Sequence, residues 1–65
     1  MININDVKIG QILYDDEFPV TVLRINKNKK TVYVEEKGLP INNSERYRTM
    51  HITQLSELPS YRYGG

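Results

Sequence analysis

Few side chains here can do covalent chemistry. The chain has no cysteine and a single histidine, so thiol nucleophiles, disulfides and thiolate metal sites are excluded, and His51 alone cannot assemble a histidine-rich zinc site. His51 is the one side chain whose unperturbed pKa lies near neutrality. No serine or aspartate stands at a spacing that announces a nucleophile or an orienting partner for it, and between Met50 and Ile52 it reads as an outward-pointing surface residue. A chain of 65 residues also has little room for a pocket of about 300 Å³, the small end of ligand sites. No enzymatic activity, no metal and no cofactor is expected.

The remaining chemistry is that of recognition. Asp15, Asp16 and Glu17 cluster carboxylates, but without the spaced ligands and central glycine of a calcium loop; they read as a solvated acidic loop able to orient a basic partner. Five tyrosines, one phenylalanine and no tryptophan supply amphipathic rings suited to interfaces. Tyr14, Asp15, Asp16, Glu17, Tyr47 and Tyr61 therefore form the candidate protein interface. The opposite charge gathers at Arg24, Lys27, Lys29 and Lys30; with Tyr33, or alternatively Tyr47, as a stacking platform, these are the candidate nucleic-acid contacts. Lysines also suit a hairpin tip for solubility and edge protection, and a formal net charge of +1 neither demands nor excludes a polyanionic partner.

These residues lie on a chain patterned for strands. Residues 1–5 alternate isoleucine and asparagine and read as a short leading strand or a mobile end. Residues 7–14, VKIGQILY, read as one bent strand in which a bulge at Gly10 resets the alternation from Val7 and Ile9 to Ile12 and Tyr14. Residues 20–25 and 31–35 are rich in β-branched residues and form a hairpin across the loop 26–30, where asparagine can take a positive φ. Val22 and Ile25 stand three apart, which breaks strict alternation and predicts a second bulge or strong coiling of the strand. Residues 38–45 are loop chemistry, with Leu39 or Ile41 as a lid. Residues 46–52 predict a strand with Arg48, Met50 and Ile52 on one face and Tyr47, Thr49 and His51 on the other. Residues 53–58 predict a single helical or 3₁₀ turn capped by Thr53. Residues 60–63 could close the sheet, and Gly64-Gly65 reads as a frayed end.

In this order, VKIGQILYD, TVLRINKNKKTVYVE and MHITQLSEL resemble the SH3-like small β-barrels, the superfamily of Tudor-type and KOW-type modules. The likeness covers residues 7–63 as a pattern, and barrels of the OB type would read similarly with more residues. It implies a small closed sheet, and either a tyrosine-lined cage for a methylated cation or a nucleic-acid face. Leu13-Tyr14-Asp15 and Pro59-Ser60-Tyr61 look like the ALYDY and PSNYV signatures of true SH3 domains. Without tryptophan the proline-binding groove of that family lacks its aromatic wall.

The expected fold is thus all-β: one domain over residues 1–65, a five-stranded SH3-like barrel or strongly twisted antiparallel sheet with one 3₁₀ turn. Its expected core is Val7, Ile9, Ile12, Val20, Val22, Ile25, Val32, Val34, Met50, Ile52, Leu55 and Leu58. No apolar run is long enough for a membrane span or signal-peptide core, and the lack of cysteine fits a reducing cytoplasm. Ile, Asn, Lys and Tyr make up 23 of 65 residues, all with AT-rich codons, which hints at a low-GC bacterial or phage genome. The expected function is a non-enzymatic module that binds or inhibits a protein partner, with a nucleic-acid-binding barrel as the alternative.

Overall fold

The structure is a computed structural model that describes residues 2–60. It is all-β, with four antiparallel strands in one sheet: β1 (Ile12–Asp15), β2 (Phe18–Asn26), β3 (Thr31–Glu35) and β4 (Tyr47–His51), in the order β1-β2-β3-β4. Two 3₁₀ turns, Ile4–Asp6 and Ile52–Gln54, flank them where one was expected. The β2–β3 hairpin forms at residues 26–30 as its composition predicts, but the positive φ falls on Lys30, not on an asparagine. Asn26 is used differently: its side chain accepts the Lys29 N–H and closes the turn.

The bulge implied by Val22 and Ile25 is present. The register of β2 on β3 shifts between Val22, opposite Val34, and Arg24, opposite Tyr33, so that Leu23 has no partner. The extra residue lets Val22 and Ile25 both face inward and turns Arg24 to the outer face.

The segment 7–14 is not one bent strand. Gly10 adopts φ +88° in a turn, its N–H donating to the Val22 carbonyl, and the strand begins only at Ile12. Starting there, the alternation sends Leu13 inward and Ile12 outward, opposite to expectation. Leu13 is fully buried, whereas Ile9 (71% exposed), Ile12 (55%) and Leu58 (76%) leave the core. Their places are taken by Leu13 and by Ile2 and Ile4 of the chain start, which pack with Val7, Val20, Val22, Val32, Val34, Met50, Ile52 and Leu55, while Ile25 packs half-buried against them. Leu39 is half-buried, but Ile41 projects into solvent and forms no lid.

The sheet stays open, β1 and β4 being unpaired, but it curls enough for side chains of its outer strands to touch. Arg48 of β4 donates to Asp15 of β1 at 2.9 Å, and beyond β4 a single bridge joins Ser56 to Tyr14. A fifth strand is not formed among the described residues. Ser60 N–H donates to the Asp16 carbonyl, and the rest of the expected closing strand, residues 61–63, lies outside the described residues.

Candidate functional site

The outward face of β2, β3 and β4 carries a continuous row of aromatic and cationic side chains. β3 alternates strictly: Val32 and Val34 are buried, so Thr31, Tyr33 and Glu35 face out. The β3–β4 register then sets Tyr33 opposite Thr49 and Glu35 opposite Tyr47. The rings of Tyr33 and Tyr47 stack at 6.4 Å between centroids with planes 16° apart. The Leu23 bulge places Arg24 opposite Tyr33, with its guanidinium 5.9 Å from the ring centre. At the other end of the row Arg46 lies 5.8 Å from the ring centre of Tyr47.

The two arginines differ in availability. Arg46 donates through Nε and Nη2 to Glu35 Oε2 at 3.1 and 2.8 Å and through Nη1 to the Leu39 carbonyl at 2.6 Å, and the Tyr47 hydroxyl donates to the same carboxylate oxygen at 3.1 Å. These bonds hold the Glu35 carboxyl below the ordinary carboxylate range, Arg46 contributing most, and they raise Arg46 in turn. Arg46 is thereby committed to pinning the 36–46 loop against the sheet. Arg24 forms no ion pair among the described residues, nor do Lys27, Lys29 and Lys30.

Arg24, Tyr33 and Lys29, with Ile25, Asn26, Thr31 and Thr49, line an open groove of about 410 Å³, more room than the chain's length led one to expect, because it is an open surface groove and not an enclosed pocket. Three of the five residues singled out for nucleic-acid contact thus share one groove, and Lys27 and Lys30 sit in the same hairpin loop. Tyr47, singled out both for a protein contact and as an alternative stacking platform, extends this aromatic row. The bulge that aims Arg24 is legible in the sequence; the Arg46–Glu35 pair is not, because it joins residues eleven apart across two elements.

The candidate protein-contact residues differ in exposure and in what engages them. Tyr14 is half-buried, its backbone engaged by Ser56. Asp15 is bound by Arg48, which also holds Glu36 at 3.1 Å. Asp16, in a turn at φ 55°, and Glu17 are exposed beside Phe18. Tyr61 lies outside the described residues. No group of three or more metal-ligating side chains is found among the described residues. His51 faces out as expected, yet it also caps the second 3₁₀ turn. Its Nδ1 accepts the Thr53 N–H while the Gln54 side chain accepts the His51 N–H, so the cap is His51 and not Thr53.

The fold and this surface define a small all-β domain with a basic, tyrosine-bearing sheet face. Comparison with protein-family models, with curated proteins and with solved structures finds no match.

Proposed function

We propose that this chain is a non-enzymatic binding domain whose outer β2–β4 face takes a single-stranded nucleic acid. The observation that carries the reading is the groove in which Arg24, without an ion pair among the described residues, the aromatic ring of Tyr33 and Lys29 converge. Bases stack on aromatic rings without regard to sequence, and cations beside them track the backbone phosphates. Lys27 and Lys30 extend the cationic track to the hairpin tip. The SH3-like resemblance is kept as part of this proposal; the curled sheet and the Ser56–Tyr14 bridge support it.

The test is fluorescence anisotropy with labelled oligo-dT and oligo-U strands and matched duplexes at two salt concentrations. Four phosphate contacts by Arg24, Lys27, Lys29 and Lys30 give a salt slope near −0.7 per contact, so affinity falls roughly 50-fold between about 50 and about 200 mM salt. Arg24→Gln reduces that fall to roughly 20-fold. Tyr33→Leu weakens binding while leaving the slope unchanged. No binding at low salt, or binding indifferent to Arg24, overturns the reading.

A protein partner at the β1–β2 turn is the second reading, favoured by Phe18, which is 52% exposed beside the exposed Asp16 and Glu17. An apolar ring rimmed by acidic groups suits a partner with a basic-edged pocket. Affinity purification from the native host with wild type and Phe18→Ser side by side tests it, and identical captures by both sink it.

A further inference from the structure

The outer strands of the sheet end differently. On β1 the backbone groups facing away from β2 include those of Tyr14, and both are engaged: its N–H donates to the Ser56 carbonyl and its carbonyl accepts the Ser56 N–H, each at 2.9 Å. On β4 the hydrogen bonds flanking the strand fix the alternation. Glu36 N–H donates to the Arg46 carbonyl, and Ile52 N–H to that of Lys30. In this antiparallel register, Arg46, Arg48, Met50 and Ile52 turn their backbone groups toward β3, while Tyr47, Thr49 and His51 turn theirs away. His51 N–H is taken by Gln54. The N–H and C=O of Tyr47 and Thr49 have no hydrogen-bond partner among the described residues.

This edge also lacks the usual defences against pairing. β4 contains no proline, no lysine and no bulge. Its inward-facing charge, Arg48, is already engaged by Asp15 and Glu36.

We propose that β4 pairs antiparallel with β4 of a second copy about a two-fold axis through Thr49. In that register Thr49 meets the same residue of the second copy, and facing threonines are a favourable cross-strand pair. Tyr47 comes opposite His51 of the second copy, ring beside ring on the outer face, and Arg48 opposite Met50; no like charges oppose each other directly. Thr49 N–H and C=O bond their counterparts reciprocally, and Tyr47 N–H reaches the carbonyl of the opposed His51. Such an isologous contact consumes the open edge and stops at a dimer. It also continues the Arg24, Tyr33 and Tyr47 row across the axis onto the second copy. The inference rests on the backbone pattern and stands apart from the nucleic-acid reading.

Sedimentation velocity over two decades of concentration, without nucleic acid, tests it. The wild type forms a dimer whose fraction rises with concentration. Thr49→Pro removes only an N–H that faces away from β3, so the β3–β4 ladder survives and the dimer is lost. Thr49→Lys sets two ammonium groups face to face at the axis and does the same, which keeps the test decisive should the proline variant fail to fold; circular dichroism checks both. A wild type that stays monomeric throughout, leaving the edge for a strand of a different protein, overturns the proposal. So does a dimer that Thr49→Lys leaves intact.

Discussion

Glu35 links the packing of the loop to the chemistry of the face. Its carboxyl is held below the ordinary range chiefly by the Arg46 bonds, so the folded chain takes up this proton less readily than the unfolded one. The stability it contributes is therefore fully present above the unfolded carboxylate value and is lost as pH falls through the depressed folded value. Thermal melts from neutral pH into the acid range should show Glu35→Gln less stable than wild type near neutrality, with the gap closing in acid; a constant gap would contradict the pairing. Among apolar residues, Leu13→Ala should cost about 2–5 kcal/mol, while Ile9→Ser and Leu58→Ser should each stay within about 0.5 kcal/mol, as read from urea midpoints. For Ile9, Ile12 and Leu13, spacing alone places the burial the other way, because it makes Gly10 a bulge within a continuous strand. A turn residue restarts the alternation, and one position of slip exchanges the faces.

At the level of elements, the parts specified by local spacing are legible. The β2–β3 hairpin follows from its β-branched runs, and the bulge from Val22 and Ile25, since two inward residues three apart require an extra residue between them. The turn at Gly10 yields a direct prediction. A Cβ there meets nothing within 4 Å but must adopt φ +88°, so Gly10→Ala should destabilise by about 1 kcal/mol through backbone strain alone, measured by equilibrium unfolding. A neutral or stabilising result would place Gly10 outside the left-handed region. What local spacing does not show is the pairing of distant elements. Asp15 resembles part of a free acidic loop because its partner Arg48 is brought in only by the curl of the sheet, and Ile2 and Ile4 enter the core because a 3₁₀ turn, not a strand, follows Asn3. Likewise charge and aromaticity single out Arg24, Lys29 and Tyr33, while the groove they share depends on the β2–β3 register.

Over the whole molecule, a net charge of +1 conceals a segregation. β2 runs nine residues, about 26 Å at the usual rise, from the acidic turn of Asp16 and Glu17 to the basic loop of Lys27, Lys29 and Lys30. The acidic groups nearest the sheet, Asp15, Glu35 and Glu36, are engaged by Arg46 and Arg48, which leaves the cations at the far end without an ion pair among the described residues. A polyanion approaching that end meets a field that the overall balance does not reveal. The most direct measurement is the salt dependence of single-strand binding by wild type and Arg24→Gln under identical conditions. Binding that weakens steeply with salt, with a slope shallower by about one contact in Arg24→Gln, is the predicted result; no binding at low salt, or identical slopes for the two proteins, would contradict it.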